Sequence, residues 1–197
     1  MATNTVTPGL IKTGPGKIYY APIGTAIPTF TAASSKISGT WTTWVSPGAT
    51  DEGITYTESV DTSDITVAES LYPVRTVTTG KTGRVAFTMN ELSDLNWKLA
   101  MNGGTITTSG TGATKLNVYV PPLVGAEVRV MMAFQSLEDD EVIIWPQVFN
   151  VGSVEIARGT YETKAGLPCE FAVELPDPAV LTTPYKRWTS GSLAAFV

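Results

Sequence analysis

Residues Arg75–Asn90 read RTVTTGKTGRVAFTMN, and the fold depends on how their centre is understood. Gly80-Lys81-Thr82 repeats the last three letters of a phosphate-binding P-loop. The full pattern needs another Gly five residues before the second one, so that backbone N–H groups can curl around the phosphates. Arg75 stands at that position. A P-loop must also follow a buried strand and open a helix. The residues after Thr82 alternate as a strand does, with Val85, Phe87 and Met89 on the face expected to meet the core and Arg84, Ala86 and Thr88 on the other. The near-match therefore reads as a turn, joining PVRTVTT to GRVAFTMN as a hairpin with Arg75, Lys81 and Arg84 around a basic tip.

On the N-terminal side, Gly53–Val67 (GITYTESVDTSDITV) also alternates. Ile54, Tyr56 and Val60 share one face, with Glu58 interrupting, while Ile65 and Val67 have the opposite parity, so a bulge or bend is expected between the two sets. KIYYAPIG (Lys17–Gly24) reads as a first short strand, TAIPTFTAASSKISG as loop, and TWTTWVSPG (Thr40–Gly48) as a Trp-rich segment closed by a Pro-Gly turn. Residues 1–16, rich in Thr, Pro and Gly, read as an extended arm.

On the C-terminal side, NELSDLNWKLAMNGG predicts the single helix, at about 91–102. Leu92, Leu95 and Leu99 repeat at helical spacing, Thr88 or Asn90 is the candidate cap, Glu91 and Asp94 suit the positive end, and Gly103-Gly104 stops it. Further strands are expected in KLNVYVPP, AEVRVMMAFQ, VIIWPQVF, SVEIARG and CEFAVELP, with Leu116, Val118 and Val120 sharing a face, as do Val128, Val130, Met132 and Phe134, and Phe171, Val173 and Leu175. Pro146 predicts an edge or a bulge within its strand. From Pro176 periodicity is lost. The pattern is mainly β with one helix, which suggests a sandwich.

Composition narrows the function. Charged residues make up 16% of the 197, against an ordinary ~25%, which suits a surface partly hidden between subunits. The net charge of −5 lacks the basic footprint of a general nucleic-acid binder. There is no His, the commonest general base and metal ligand. No nucleophile–base pair or metal set can be assembled, so an enzyme is the least supported class, and no cofactor is expected. Cys169, the only cysteine, lies in an alternating strand and reads as a buried inert thiol. MATNTVTPGL is not a signal peptide and no run reaches ~18 apolar residues, so no membrane association is expected, and folding is expected in cytoplasm.

Charge is segregated. Residues 1–50 contain Lys12, Lys17 and Lys36 and no acid, whereas residues 51–74 contain Asp51, Glu52, Glu58, Asp61, Asp64 and Glu69 and no base. A second acidic knot, Glu138–Glu141, lacks the alternating ligands and the Gly of a calcium loop and reads as a solvated hairpin tip.

Taken in order, several segments resemble the major tail protein (tail tube protein) family of long-tailed bacteriophages. They are GKIYYAPIGTAIPT (Gly16–Thr29), GTWTTWVSPGATDEGITY (Gly39–Tyr56), ESLYPVRTV (Glu69–Val77) and GRVAFTMNELSDLNWKLAMNGG (Gly83–Gly104). The likeness runs from about Gly16 to Pro176. It implies a β-sandwich or barrel-forming tail-tube domain at 17–176 with one flanking helix, an N-terminal arm at 1–16 and a Pro-rich C-terminal tail at 177–197. It further implies a structural virion protein whose copies form hexameric rings, stacked into the hollow tube through which DNA is ejected, with tape-measure, tail terminator and distal tail proteins as partners. The acids at 51–69 read first as a solvated loop kept soluble by its carboxylates; on that resemblance they are also candidates for the lumen, where they would repel DNA phosphates. They are equally candidates for an inter-ring loop facing the basic N-terminal half with Lys12 and Lys17. Arg75, Lys81 and Arg84 are expected to pair with those acids. Trp188, beside Lys186 and Arg187, is a candidate anchor on a neighbouring subunit, while Trp97 and Trp145 read as core or interface. The five Trp residues, Trp41 and Trp44 included, leave a carbohydrate- or surface-binding β-sandwich module as the alternative.

Overall fold

The computed structural model describes residues 14–33, 36–51, 53–156, 164–177 and 181–190. Their elements in chain order are β1 (Gly16–Pro22), β2 (Thr31–Ala33), β3 (Lys36–Ser38), β4 (Thr55–Ile65), β5 (Arg75–Met89), α1 (Asp94–Ala100), β6 (Thr105–Ser109), β7 (Leu116–Val120), β8 (Val130–Ser136), β9 (Glu141–Asn150), β10 (Leu167–Val173) and β11 (Lys186–Thr189). The chain is mainly β with one α-helix, as its periodicity predicts. A seven-stranded antiparallel sheet runs β1-β8-β9-β10-β5-β4, and β11 also pairs with β9. Two small hairpins, β2-β3 and β6-β7, stand apart from it.

Gly80-Lys81-Thr82-Gly83 corrects the sequence reading. It is not a turn: it lies inside β5, which runs unbroken from Arg75 to Met89. The hairpin is instead β4–β5, and its connection is Thr66–Val74, closed where Val74 N–H donates to the Ile65 carbonyl (2.8 Å). Thr and Val on either side of the glycines favour extended backbone, and neither glycine takes a positive φ. Gly83 is closely surrounded. A Cβ there would stand 3.1 Å from the Val173 side chain and 3.3 Å from the Tyr56 hydroxyl. The expected irregularity in β4 is present as a register shift at Asp61/Thr62, where the ladder skips Thr79, so the extra residue belongs to β5.

The large sheet carries an apolar core on each face. Ile18, Val85, Phe87, Met89, Met132, Trp145, Val148, Leu167, Cys169 and Phe171 form one with Leu99 and Ala100 of the helix. Ala21, Met131, Ala133, Val142 and Ile144 form the other with Ile37 and Trp44. The parity of β5 therefore holds, and Phe87 stacks on Phe171 with ring centroids 5.7 Å apart. Two cores on one sheet explain why consecutive residues Met131, Met132 and Ala133 are all fully buried. The bulge predicted at Pro146 is present: β9 skips a residue pair between Trp145 and Val148 against β8. The slip turns Trp145 and Val148 to the same core, although strict alternation would oppose them.

The helix is shorter than 91–102 and begins later. Its cap is Ser93, neither Thr88 nor Asn90, with the Ser93 hydroxyl accepting from Asn96 N–H (3.2 Å). Glu91 instead accepts from Ala49 N–H (3.1 Å). Leu99 is buried but Leu95 is 52% exposed. Asn102, Gly103 and Gly104, all at positive φ, end the helix. Asn150 ties that end to the sheet: its side-chain amide donates to the Ala100 carbonyl and its Oδ1 accepts from Glu170 N–H (3.0 Å). The Asn102 side chain in turn brackets the Asn150 backbone at 2.7 and 2.8 Å.

Other segments depart from expectation. TAIPTFTAASSKISG contains β2 and β3, each three residues long and too short to show a period. β6 is a strand that the sequence reading missed. Of SVEIARG, Ser153–Ile156 lies outside any strand and the rest outside the described residues. The Pro-rich C-terminal stretch supplies β11, and Trp188 packs within the chain against Phe30 (5.0 Å) rather than standing free for a neighbour.

This packing makes two outcomes measurable. Asn150→Ala leaves the Ala100 carbonyl and Glu170 N–H without their partner, so urea unfolding should register a loss of about 2–3 kcal/mol. Burial pushes the Cys169 thiol up from 9.0 to about 12. The unfolded chain then holds fewer protons above pH 9, so stability is intact below pH 9 and falls as pH rises toward 12. Cys169→Ala should flatten that fall in urea titrations; identical pH profiles would contradict the assignment.

Candidate functional interface

The interface candidates centre on the β4–β5 arm. β5 is paired on both sides by β4 and β10 only from Gly83 to Ala86; from Phe87 to Met89 it keeps β10, with an isolated bridge from Thr50 to Met89 on the other side. From Arg75 to Thr82 it has β4 alone among the described residues. The outer part is a two-stranded ribbon, exposed along most of both strands. β4 is also the last strand of the sheet, and its outward side pairs with no strand among the described residues. At the opposite end, the outward side of β1 carries only a bridge to Val45, at Tyr20, among the described residues.

The register shows where the sequence candidates lie. Glu58, Val60 and Asp64 share the face of Tyr56 and Val85, while Asp61 lies on the other face with Arg84 and Thr82. The acids are therefore not gathered into one patch. Asp51 precedes β4 and contacts Lys164. Glu69 is exposed in the connection. Glu52 and Lys12 fall outside the described residues, and Lys17 is exposed on β1.

The three basic residues are not clustered at a tip. Arg75 opposes Ile65 at the outer end of β5, Lys81 is midway along it, and Arg84 is near the core. Lys81 lies 3.8 Å from Glu58 and Arg84 lies 3.7 Å from Glu170. Both pairs are well exposed, so each contributes little to stability. Asp64 accepts from the Thr76 hydroxyl (2.6 Å) across the ribbon. At the foot of the arm Tyr56 packs on Trp145 and Tyr185. Burial, with the charge of Glu58, pushes its phenol up to about 12.

The surface that the sequence reading missed is apolar. Val67, Leu71, Tyr72 and Val74 stand exposed at the end of the arm, Leu71 completely and Tyr72 at 80%. The available signal was LYPV between two polar strands. A second exposed set, Ile23, Val45, Leu95 and Val128, lines a groove of about 460 Å³ with Tyr20, Leu99 and Lys98.

The acidic knot forms the β8–β9 turn, as expected. Asp139 has φ 56, Asp140 accepts from the Ser136 hydroxyl (2.6 Å), and Asp139 accepts from the Gln135 amide (2.8 Å). The tryptophans do not make an open platform. Trp145 and Trp44 are buried, and Trp41 stacks on Tyr19 at 4.4 Å while its indole N–H donates to Gln135 (2.7 Å). Trp97 packs near Tyr119 at 6.3 Å.

A family model described as phage tail tube protein matches residues 1–142. No curated protein matches the sequence.

Because Gly80-Lys81-Thr82 is extended strand, it has no curled loop to hold phosphates. Millimolar Mg-ATP or Mg-GTP should leave the melting temperature unchanged. A rise of about 5 °C or more, the scale expected of a ligand far above its Kd, would restore the nucleotide reading.

Proposed function

The chain belongs to the phage tail tube protein family, and we propose that its copies close into hexameric rings, stacked into the hollow tube through which phage DNA is ejected. It is a structural protein of the virion tail. The observation that carries the finer reading is the long edge strand β4, eleven residues without Lys or Pro and with no strand on its outward side among the described residues. In a lone chain such an edge is a hazard, because its N–H and C=O groups invite another strand. Closure of a ring by strand addition removes the edge and makes the same groups the bond between subunits. β1, at the other end of the sheet, offers the second edge such closure requires.

The acids of the arm fit two tasks in that tube. Asp61 and Glu58, on opposite faces, allow one face to meet the lumen and the other a neighbouring subunit. Carboxylates at the lumen repel DNA phosphates and let the genome pass without adhesion, since DNA affinity comes largely from cations. Carboxylates at the ring junction are attracted to the basic N-terminal half of the next ring and favour one stacking direction. Residues 1–16 act as an arm between rings, whereas β11 keeps part of the C-terminal stretch in the body. Assembly takes place in the host cytoplasm, with tape-measure, tail terminator and distal tail proteins at the inside and ends of the tube.

Negative-stain micrographs of the purified protein should contain rings or tubes. A chain that stays monomeric at high concentration would overturn the tube. Asp61→Lys with Asp64→Lys should slow assembly several-fold, followed by light scattering; unchanged yield and tube length would remove the acids from the mechanism.

A further inference from the structure

Resting on the tube reading, we propose that the apolar end of the β4–β5 arm of one copy seats in the groove between β1 and α1 of a second copy. Among the described residues, nothing covers either surface. Large apolar side chains exposed singly are ordinary, but contiguous ones mark interaction sites. Here two groups of four are gathered: Val67, Leu71, Tyr72 and Val74 on the arm, and Ile23, Val45, Leu95 and Val128 around the groove.

The arm end is shaped to be a knob. The Val74–Ile65 hydrogen bond closes its base, and the Ser70 hydroxyl donates to the Tyr72 carbonyl (2.9 Å), which holds Leu71 and Tyr72 outward. Tyr offers a large rigid contact with little entropy to lose, the usual character of an interface anchor. The charges match as well. Glu69 precedes the knob and Lys98 lies on the groove wall, and neither has an ion pair among the described residues. Arg129, also on the wall, is held by Glu174 at 2.7 Å, which leaves Lys98 as the available cation. Knob and groove are different surfaces of one chain, so each copy can both give and receive, and in a ring or stack the contact runs head-to-tail.

The test uses the full chain. Tyr72→Cys protein is mixed with Leu95→Cys protein under mild oxidation; both positions are exposed, so neither change threatens folding, and Cys169 is buried. The mixture should yield at least tenfold more disulfide-linked dimer than either variant alone. Glu69→Lys should reduce that yield, and Lys98→Glu in the partner should restore it. No excess dimer in the mixture, or no rescue by the charge swap, would overturn the contact. Wild-type micrographs separate this from the tube itself: tubes without the cross-link retain the tube and remove the knob, whereas the cross-link without tubes does the reverse.

Discussion

Backbone pairing along β5 sets the shape of this molecule. Its inner half pairs with β10 throughout and with β4 as far as Ala86, and it supplies Val85, Phe87 and Met89 to the core. Among the described residues its outer half has only β4 for company, and an isolated two-stranded ribbon is marginal in water. The arm carries little of its own stabilisation: its ion pairs are exposed, and its side chains meet solvent on both faces. A structure that extends so much backbone beyond its core is economical only if something else covers it. The arm is therefore where the demands of folding and of association meet.

The body can support such an arm because one sheet does two jobs. Buried side chains on both faces of β8 and β9 make the central strands a shared wall between two cores. The bulge at Pro146 keeps Trp145 and Val148 in the same core while Val142 and Ile144 serve the other. Aromatic residues seal the second core: Phe30, Trp41, Trp44 and Trp188 meet ring to ring at 5.0–5.6 Å. They consume the aromatic surface that a glycan platform would need.

Much of this fold is legible in the sequence where side chains alternate strictly or where Pro forbids a hydrogen bond. The face of β5, the bulges in the arm and at Pro146, and the inert Cys169 follow from period and steric rules alone. The centre of β5 misleads because glycine and lysine punctuate a sequence without obliging the chain to turn. Gly83 lies close against Val173, on a strand ninety positions away, and no local pattern reveals that contact. The true turn carries LYPV, and its apolar letters argue against a turn unless a partner surface is considered. The short strands β2, β3 and β11 owe their existence to pairing and packing across the chain, and a three-residue segment has no period to detect.

The same features explain how a protein with few charges can associate specifically. The open edge offers backbone groups that any strand could bond, so the edge alone gives affinity without selection. Side chains must supply the discrimination, and the acids flanking the edge raise the cost of pairing two like arms. A knob and a groove on different parts of the chain discriminate further, because each must find the other surface and not its own copy. In the proposed tube each subunit would use edge, knob and charge together, and contacts that are weak singly become strong once the first has fixed the geometry of the rest.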